Sequence, residues 1–590
     1  MRAFWSAAFI AVLSFVVAGC GGSGSSSTSS STSGGTSSSG NVLAGLQPKA
    51  GKKGGNVTLL SSTDVDYLDP GHTYYTVGYT ILYATQRPLY SVKPGQTNSQ
   101  PDLAAGPPQI SADEKTVTVK IRPGVRFSPP VNREVTSKDV KYAFERAFTA
   151  NVANEYTTYF ADIVGAPAKP GKFKAISGIE TPDNHTLVIH LKRPSGVGVA
   201  AALVMPITAP VPEEYAKKFD EKSPSTYNTH VVFTGPYMVK NDSAGNLTGY
   251  HAGTSIQLVR NPNWDPKTDY KPAYLDSILM KTNASDLDVA SRQTLQGSNL
   301  MTEDPAPANV LKLAVTHYKD QYVTIPSGGY RWLPMNTTLK PFDNINVRKA
   351  VIAVFDRNAV RQARGGPLVG DIATHFIPPG IAGFQQAGGQ KGPNLDFLAH
   401  PEGDPALAAS YMKKAGFPSG KYTGNQTYTI VTENVNPGKA QAVVAQAQFA
   451  KLGFKVQVRT VSQATMYTGF CQVPDKKLLS CGDAAWFKDF NDPQSMLEPT
   501  FKGSAISLSG GNNNLAQLND PKIDAAMTKA ATLQGNARLQ AWGDIDQMIV
   551  GDAPAVPLVW DKTTVLESKN VQGAADAYTD SFNLAFSSLK

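Results

Sequence analysis

Length beyond the polar N-terminal tract constrains this chain most. About 535 residues follow residue 55, more than one hydrophobic core accommodates, so two or three domains are required. Across them, strand-like and helix-like patterns alternate without a repeat period. Residues 115–121 alternate Val117, Val119 and Ile121 with Thr and Lys, and residues 185–191 do the same with Leu187, Ile189 and Leu191, the period of half-buried strands. Between them, Thr136 and Asp139 have capping-box spacing, followed by Val140, Ala143, Phe144, Ala147 and Phe148 at helical intervals, which predicts a helix packed on a sheet. Val347, Ala350, Val351, Val354 and Phe355 form a second helical stripe. Asp520-Pro521 opens a third helix, with the pattern running to about residue 533 and resuming over 537–550, because Asp caps and Pro suits the first helical turn. The expected class is α/β.

Ahead of these segments, Arg2 precedes an apolar run over residues 3–18 that ends in Val17-Ala18-Gly19-Cys20. The run is short for a bilayer span and closes on small residues, as export signals do. A cysteine at this place resembles the lipobox of bacterial lipoproteins, so residues 1–19 are read as a cleaved signal and Cys20 as the lipidated first residue. An ordinary secretory signal with an incidental cysteine is the alternative. Residues 21–40 are almost entirely Ser, Gly and Thr, with nothing apolar to bury, and read as a flexible leash. The linker is taken to extend to residue 55, through Lys49, Lys52 and Lys53.

The formal charge of +8 falls to +7 once Arg2 is cut away and is spread without a basic block, which argues against nucleic acid as a partner. Only Cys471 and Cys481 remain beyond the anchor. An even pair close together in an exported chain is read as a disulfide closing a short loop, with two reduced buried thiols as the alternative. The chain has no Gly-x-Ser-x-Gly elbow, His-Glu-x-x-His pair, Walker loop or dinucleotide-binding glycine turn, so nothing announces an enzyme. His185 and His190 lie five apart on an alternating strand, on opposite faces, which makes them poor joint metal ligands. No cofactor is expected.

A set of ordered segments carries positive evidence. Tyr67-Leu68-Asp69-Pro70 is followed by Arg87-Pro88-Leu89-Tyr90, Pro101-Asp102-Leu103-Ala104 and Lys120-Ile121-Arg122-Pro123-Gly124-Val125-Arg126-Phe127. Thr136-Ser137-Lys138-Asp139-Val140, Thr234-Gly235-Pro236-Tyr237 and Arg260-Asn261-Pro262-Asn263-Trp264 come next, then Met335-Asn336-Thr337-Thr338 and Pro341 to Ala350. Together they resemble the extracellular solute-binding proteins of family 5, the substrate-binding lipoproteins of ABC importers for peptides and nickel. The family's His-Asp-Gly-x-Pro is replaced here by Ser128-Pro129-Pro130-Val131-Asn132.

The resemblance implies a periplasmic-binding-protein-like fold of type II in its larger three-domain form, two lobes around a ligand cleft joined by a hinge. Domain I would combine residues 56–84, 210–330 and 561–590, domain II residues 85–209 and domain III residues 331–560. Tyr330, Arg331, Trp332, Val559 and Trp560 are hinge candidates, with plain interdomain packing as the alternative. The implied function is capture of oligopeptides outside the cytoplasm, on a lipid-anchored monomer that delivers them to a membrane permease and its ATPase. The same scaffold with another solute, such as a metal chelate, oligosaccharide or conjugated nutrient, is one alternative; a surface sensor or adhesin is another.

The ligand clue is Ala484-Ala485-Trp486-Phe487-Lys488-Asp489. It resembles the segment that in oligopeptide-binding members runs beside the peptide backbone, with an Asp three residues after a Trp pairing with the ligand's ammonium. That assigns Asp489 to the amine, Trp486 to the cleft, and the main chain of Ala485 to Phe487 to strand addition. Because 486 and 489 have odd spacing, a bend near Lys488 is required for both to face the ligand. A surface charge paired with Lys488, or a cap before Pro493, is the alternative for Asp489. Tyr74 and Tyr75 are further ligand candidates, with packing between domains as the other reading. Asp483 stands where some tripeptide binders place a basic residue, which puts carboxylate recognition there in doubt.

Overall fold

The computed structural model describes residues 43, 45–508 and 511–590. The expected signal, Cys20 and most of the leash lie outside the described residues. Leu43 is already buried in a hydrophobic core, Gln47 Nε2 donates to the Gly95 carbonyl at 2.8 Å, and Lys52 bridges Leu589. The stretch from residue 45 to 55, read from composition as linker, therefore lies against the fold, because these contacts offset the ordering entropy that polarity alone does not.

The first strand, Asn56–Leu60, runs parallel to Ser277–Lys281 on one side and to Leu300–Thr302 on the other, within a six-stranded sheet. Its neighbours arrive more than two hundred residues later; part of the intervening chain forms a separate layer before Tyr237–Val239 and Ser255–Arg260 return to the same sheet. That layer contains a four-stranded antiparallel sheet in the order Gln109–Ile110, Thr116–Lys120, Thr186–His190, Ile179–Asp183. Val117, Val119, Leu187 and Ile189 are fully buried, on the side their alternation predicted. The helix Ser137–Ala147 packs there with Thr136 and Asp139 forming the expected capping box.

Beyond residue 330 a third layer begins. Thr427–Glu433 pairs in parallel with Lys455–Val461 and Ser480–Cys481. The helix Ile345–Val354 buries Val347, Ala350, Val351 and Val354, as its stripe required. Asp520 accepts from Lys522 and Ile523 N–H to open the helix Pro521–Ala530, and a second helix, Gly535–Asp552, follows. Cys471 and Cys481 are joined as a disulfide with Cα atoms 6.0 Å apart.

Two long antiparallel strands, Tyr322–Pro334 and Ala555–Leu566, tie these parts together. At one end of this ribbon Ile325 and Val565 belong to the core built on the six-stranded sheet. At its other end Tyr330, Trp332, Leu558 and Trp560 belong to the large core of residues 330–560. The pairing register shifts between Pro326 and Tyr330, where Gly328 has φ +64° and a Cβ would meet Lys488 Nζ at 2.7 Å. The irregularity thus adjoins Tyr330, the first of the expected hinge residues. Tyr330, Trp332 and Trp560 are packed inside the second lobe, and Arg331 is held by ion pairs to Asp483 and Asp561. The fold is α/β and periplasmic-binding-protein-like, two lobes around a cleft.

Candidate functional site

A short strand, Ala484–Phe487, forms the edge of the four-stranded sheet that contains the crossing ribbon, paired antiparallel to Gly329–Trp332. Lys488 N–H still bonds back to Gly328, so by alternation Ala485 and Phe487 direct their main-chain groups to the unpaired edge. The hydroxyl of Tyr467 accepts the Ala485 N–H there at 3.3 Å. The strand ends at Phe487 and the chain bends at Asp489, which brings Trp486 and Asp489 into the wall of one cavity despite their odd spacing.

That cavity, of about 620 Å³, lies between the lobes. Tyr74, Glu155, Tyr156, Tyr159, Asp162 and Arg193 come from one side; Trp486, Asp489, Gln494, Glu498 and Lys502 come from the other. Contacts cross the cleft around it. Tyr159 donates its hydroxyl to Asp489 Oδ2, Asn491 Nδ2 donates to the Thr97 carbonyl at 3.0 Å, and Gln534 Nε2 donates to Glu114 Oε1 at 2.6 Å. At Gly198 the opposing lobe is so close that a Cβ would sit 2.9 Å from Gln494 Oε1. Phe490, next to Asp489, enters the opposite lobe's core and meets the Tyr159 ring edge-on at 4.9 Å.

Asp489 is 9 % exposed. Burial raises its carboxyl to about 7; the Tyr159 hydrogen bond opposes this and Glu155 adds to it. Among the described residues it has no Lys, Arg or His partner. Lys488 turns the other way, donating to the carbonyls of Ser327 (2.8 Å) and Ala577, and burial brings its amine down to about 8. The cap before Pro493 is Asp492, which accepts from Gln494 N–H at 2.9 Å and pairs with Arg538. Neither alternative proposed for Asp489 is therefore realised: its carboxylate opens on the cavity.

The remaining candidates divide. Trp486 lines the cavity and anchors its indole N–H on the Ser495 carbonyl at 2.8 Å. Tyr74 lines it too, 5.2 Å from the Tyr156 ring. Tyr75 is 53 % exposed and outside the wall. Ala485 and Phe487 are also outside it, with the Phe487 ring beneath the Arg331 guanidinium. Asp483 is committed elsewhere: it pairs with Arg364 at 2.8 Å and Arg331 at 3.2 Å, and although burial raises its carboxyl, these two cations hold it below the usual value. The sequence reading missed Glu155, Tyr156 and Tyr159. Their only signal is an aromatic cluster in the run 155–160, uninformative until the opposite lobe closes on it.

Residues 98–507 match the profile of the bacterial extracellular solute-binding proteins, family 5. The chain belongs to that family. This family 5 protein is 26% identical over 486 residues to heme-binding protein A of Haemophilus influenzae, covering 80% of each chain. It is 25% identical over 478 residues to the oligopeptide-binding protein OppA of Bacillus subtilis, covering 79% of this chain and 80% of that one. Among solved structures, the clavulanic acid biosynthesis oligopeptide binding protein 2 superposes with a TM-score of 0.80 at 25% identity, covering 92% of this chain and 96% of that one. No helix among the described residues of this family 5 protein is long and apolar enough to cross a membrane.

Proposed function

We propose that this protein captures oligopeptides with a free amino terminus in the interlobe cavity and delivers them to an ABC permease and its ATPase. The observation that carries the reading is Asp489, a buried carboxylate facing a large cavity with no cation of its own among the described residues. A charge taken from water costs several kcal/mol unless a counter-charge accompanies it, and a ligand ammonium supplies that charge when the lobes close. Addition of the ligand's main chain as a strand along Ala484–Phe487, which would bind a peptide without reading its side chains, requires Tyr467 to release the Ala485 N–H that it accepts here.

The same proposal includes the three segmental domains, 56–84 with 210–330 and 561–590, 85–209, and 331–560, and bending of the crossing ribbon near Gly328 as the cleft opens. It also includes lipid attachment at Cys20 on the extracytoplasmic face, which keeps a capture protein near its permease. More than one acyl chain would be needed for durable anchoring. Mass spectrometry of compounds released on denaturing the purified protein tests the reading. A ladder of peptides is expected; saccharides or a metal chelate alone would overturn it. Loss of peptide uptake on deletion separates transport from a sensor or adhesin role.

A further inference from the structure

Six charged side chains line the cavity: Glu155, Asp162, Arg193, Asp489, Glu498 and Lys502. Four of them cancel in pairs. Arg193 Nε lies 2.6 Å from Asp162, and Lys502 is paired with Glu498 four residues before it. Glu155 and Asp489 are left over, and among the described residues neither has a cationic partner. They belong to the same end of the cavity. Glu155 opens the short helix Glu155–Phe160 whose Tyr159 donates to Asp489, and it is close enough to raise the Asp489 carboxyl.

The framework behind Glu155 is fixed. Asn154 caps its helix by accepting from Tyr156 N–H and ties it to the Gly71 carbonyl through Nδ2 at 2.7 Å. Tyr156 packs against Tyr74, and the main chain of Tyr74 and Tyr75 is gathered on Asp66. Asp66 satisfies its oxygens with these N–H groups and the Thr73 hydroxyl, so it adds negative potential behind the aromatic wall without supplying a cation. The nearest neighbouring cation in sequence, Lys488, is turned to the ribbon. One ammonium on Asp489 would therefore leave a second carboxylate unanswered at the exposed rim of the same cavity.

We propose that Glu155 makes this site selective for ligands carrying two positive charges at one end, above all peptides whose first residue is basic, with the α-ammonium on Asp489 and the first side chain's cation on Glu155. The selectivity rests on the peptide reading above and deepens it. Mutual repulsion of two carboxylates is relieved by two cations more completely than by one. Glu155 is exposed without ligand, so a neutral first side chain laid over it would take its carboxylate from water with no counter-charge in return. The cavity's other charges, Arg193 with Asp162 and Lys502 with Glu498, are already balanced, so a basic side chain further along the peptide finds no comparable unanswered carboxylate there.

Calorimetric titration of the purified protein with Lys-Ala-Ala, norleucine-Ala-Ala and Ala-Ala-Lys tests this. Lys-Ala-Ala is expected to bind about tenfold more tightly than the other two, the scale of one charge-assisted contact. Glu155→Gln should bring the Lys-to-norleucine ratio close to one, and raising the salt concentration should shrink it in the native protein. Equal affinity for all three peptides, a ratio unchanged by Glu155→Gln, or Ala-Ala-Lys matching Lys-Ala-Ala would each overturn the assignment while leaving peptide capture intact. Failure of all three to bind would overturn peptide capture and this assignment with it.

Discussion

Asp483 and Asp489 flank the same edge strand, six residues apart, and both are buried, yet they have opposite chemistry. Asp483 is enclosed by Arg331 and Arg364, which hold its carboxyl below the ordinary range despite burial. Asp489 faces a cavity with only a tyrosine hydroxyl and the neighbouring Glu155, and burial takes it up to about 7. The first carboxylate completes its ion pairs within the folded chain. The second has no cation among the described residues and lines a cavity, which makes it the candidate for a ligand's ammonium. Burial by itself does not mark a binding residue: Glu303 is buried without an ion pair too, but hydroxyls of Thr80 and Ser581 satisfy it inside the fold, whereas Asp489 faces a cavity.

Removing the paired carboxylate is expected to have the largest effect. Asp483→Ala leaves Arg331 and Arg364 sharing Asp561 and should lower unfolding stability by about 3 kcal/mol, read from urea denaturation of the ligand-free protein. Asp489→Asn in the same assay should change it by less than about 1 kcal/mol, since no internal ion pair is broken. Similar losses in the two variants would erase the distinction.

Binding should reverse that order. Asp489→Asn is expected to weaken a free-amine tripeptide about a hundredfold, the scale of one lost partner in a buried charge pair, and its N-acetylated form by no more than about threefold. Equal losses would remove the ammonium role.

Next comes pH. With its carboxyl raised to about 7, Asp489 favours the protonated form in the closed, ligand-free protein. Its contribution to stability is therefore complete below the ordinary carboxyl value of about 4 and is lost as pH rises through 7. A bound ammonium favours the ionised form. Peptide affinity should accordingly be highest just above pH 7 and fall by about tenfold per unit below it, until the α-amine's own deprotonation near 8 limits it from above. Titrations between pH 5 and 8 should show this slope in the native protein and a flat profile in Asp489→Asn. The smallest effect is expected from Tyr159→Phe. Losing a hydrogen bond worth about 1 kcal/mol should weaken peptide binding about fivefold and move the pH midpoint upward, because that bond favours the ionised carboxylate.

Local elements were legible because their causes are local. The capping box at Thr136 and Asp139, the stripe from Val347 to Val354, the Asp520-Pro521 start and the alternation at Val117 and Val119 all have the expected form. Family membership was legible from short ordered segments, each specific only in company. The bend between Trp486 and Asp489 followed from strand parity. Three features were not legible in the sequence: which of Tyr74 and Tyr75 turns inward, where the ribbon's register shifts, and what sits opposite Asp489.

The sequence by itself determined the α/β class, the family and the segment that carries the candidate carboxylate, since periodicity, caps and motif order act within a few residues. Only the tertiary structure decided that Asp483 is neutralised and Asp489 is not. Electrostatic partnership depends on distance in space, and the groups concerned, Arg331 and Arg364 for one and Tyr159 and Glu155 for the other, are more than a hundred residues away along the chain.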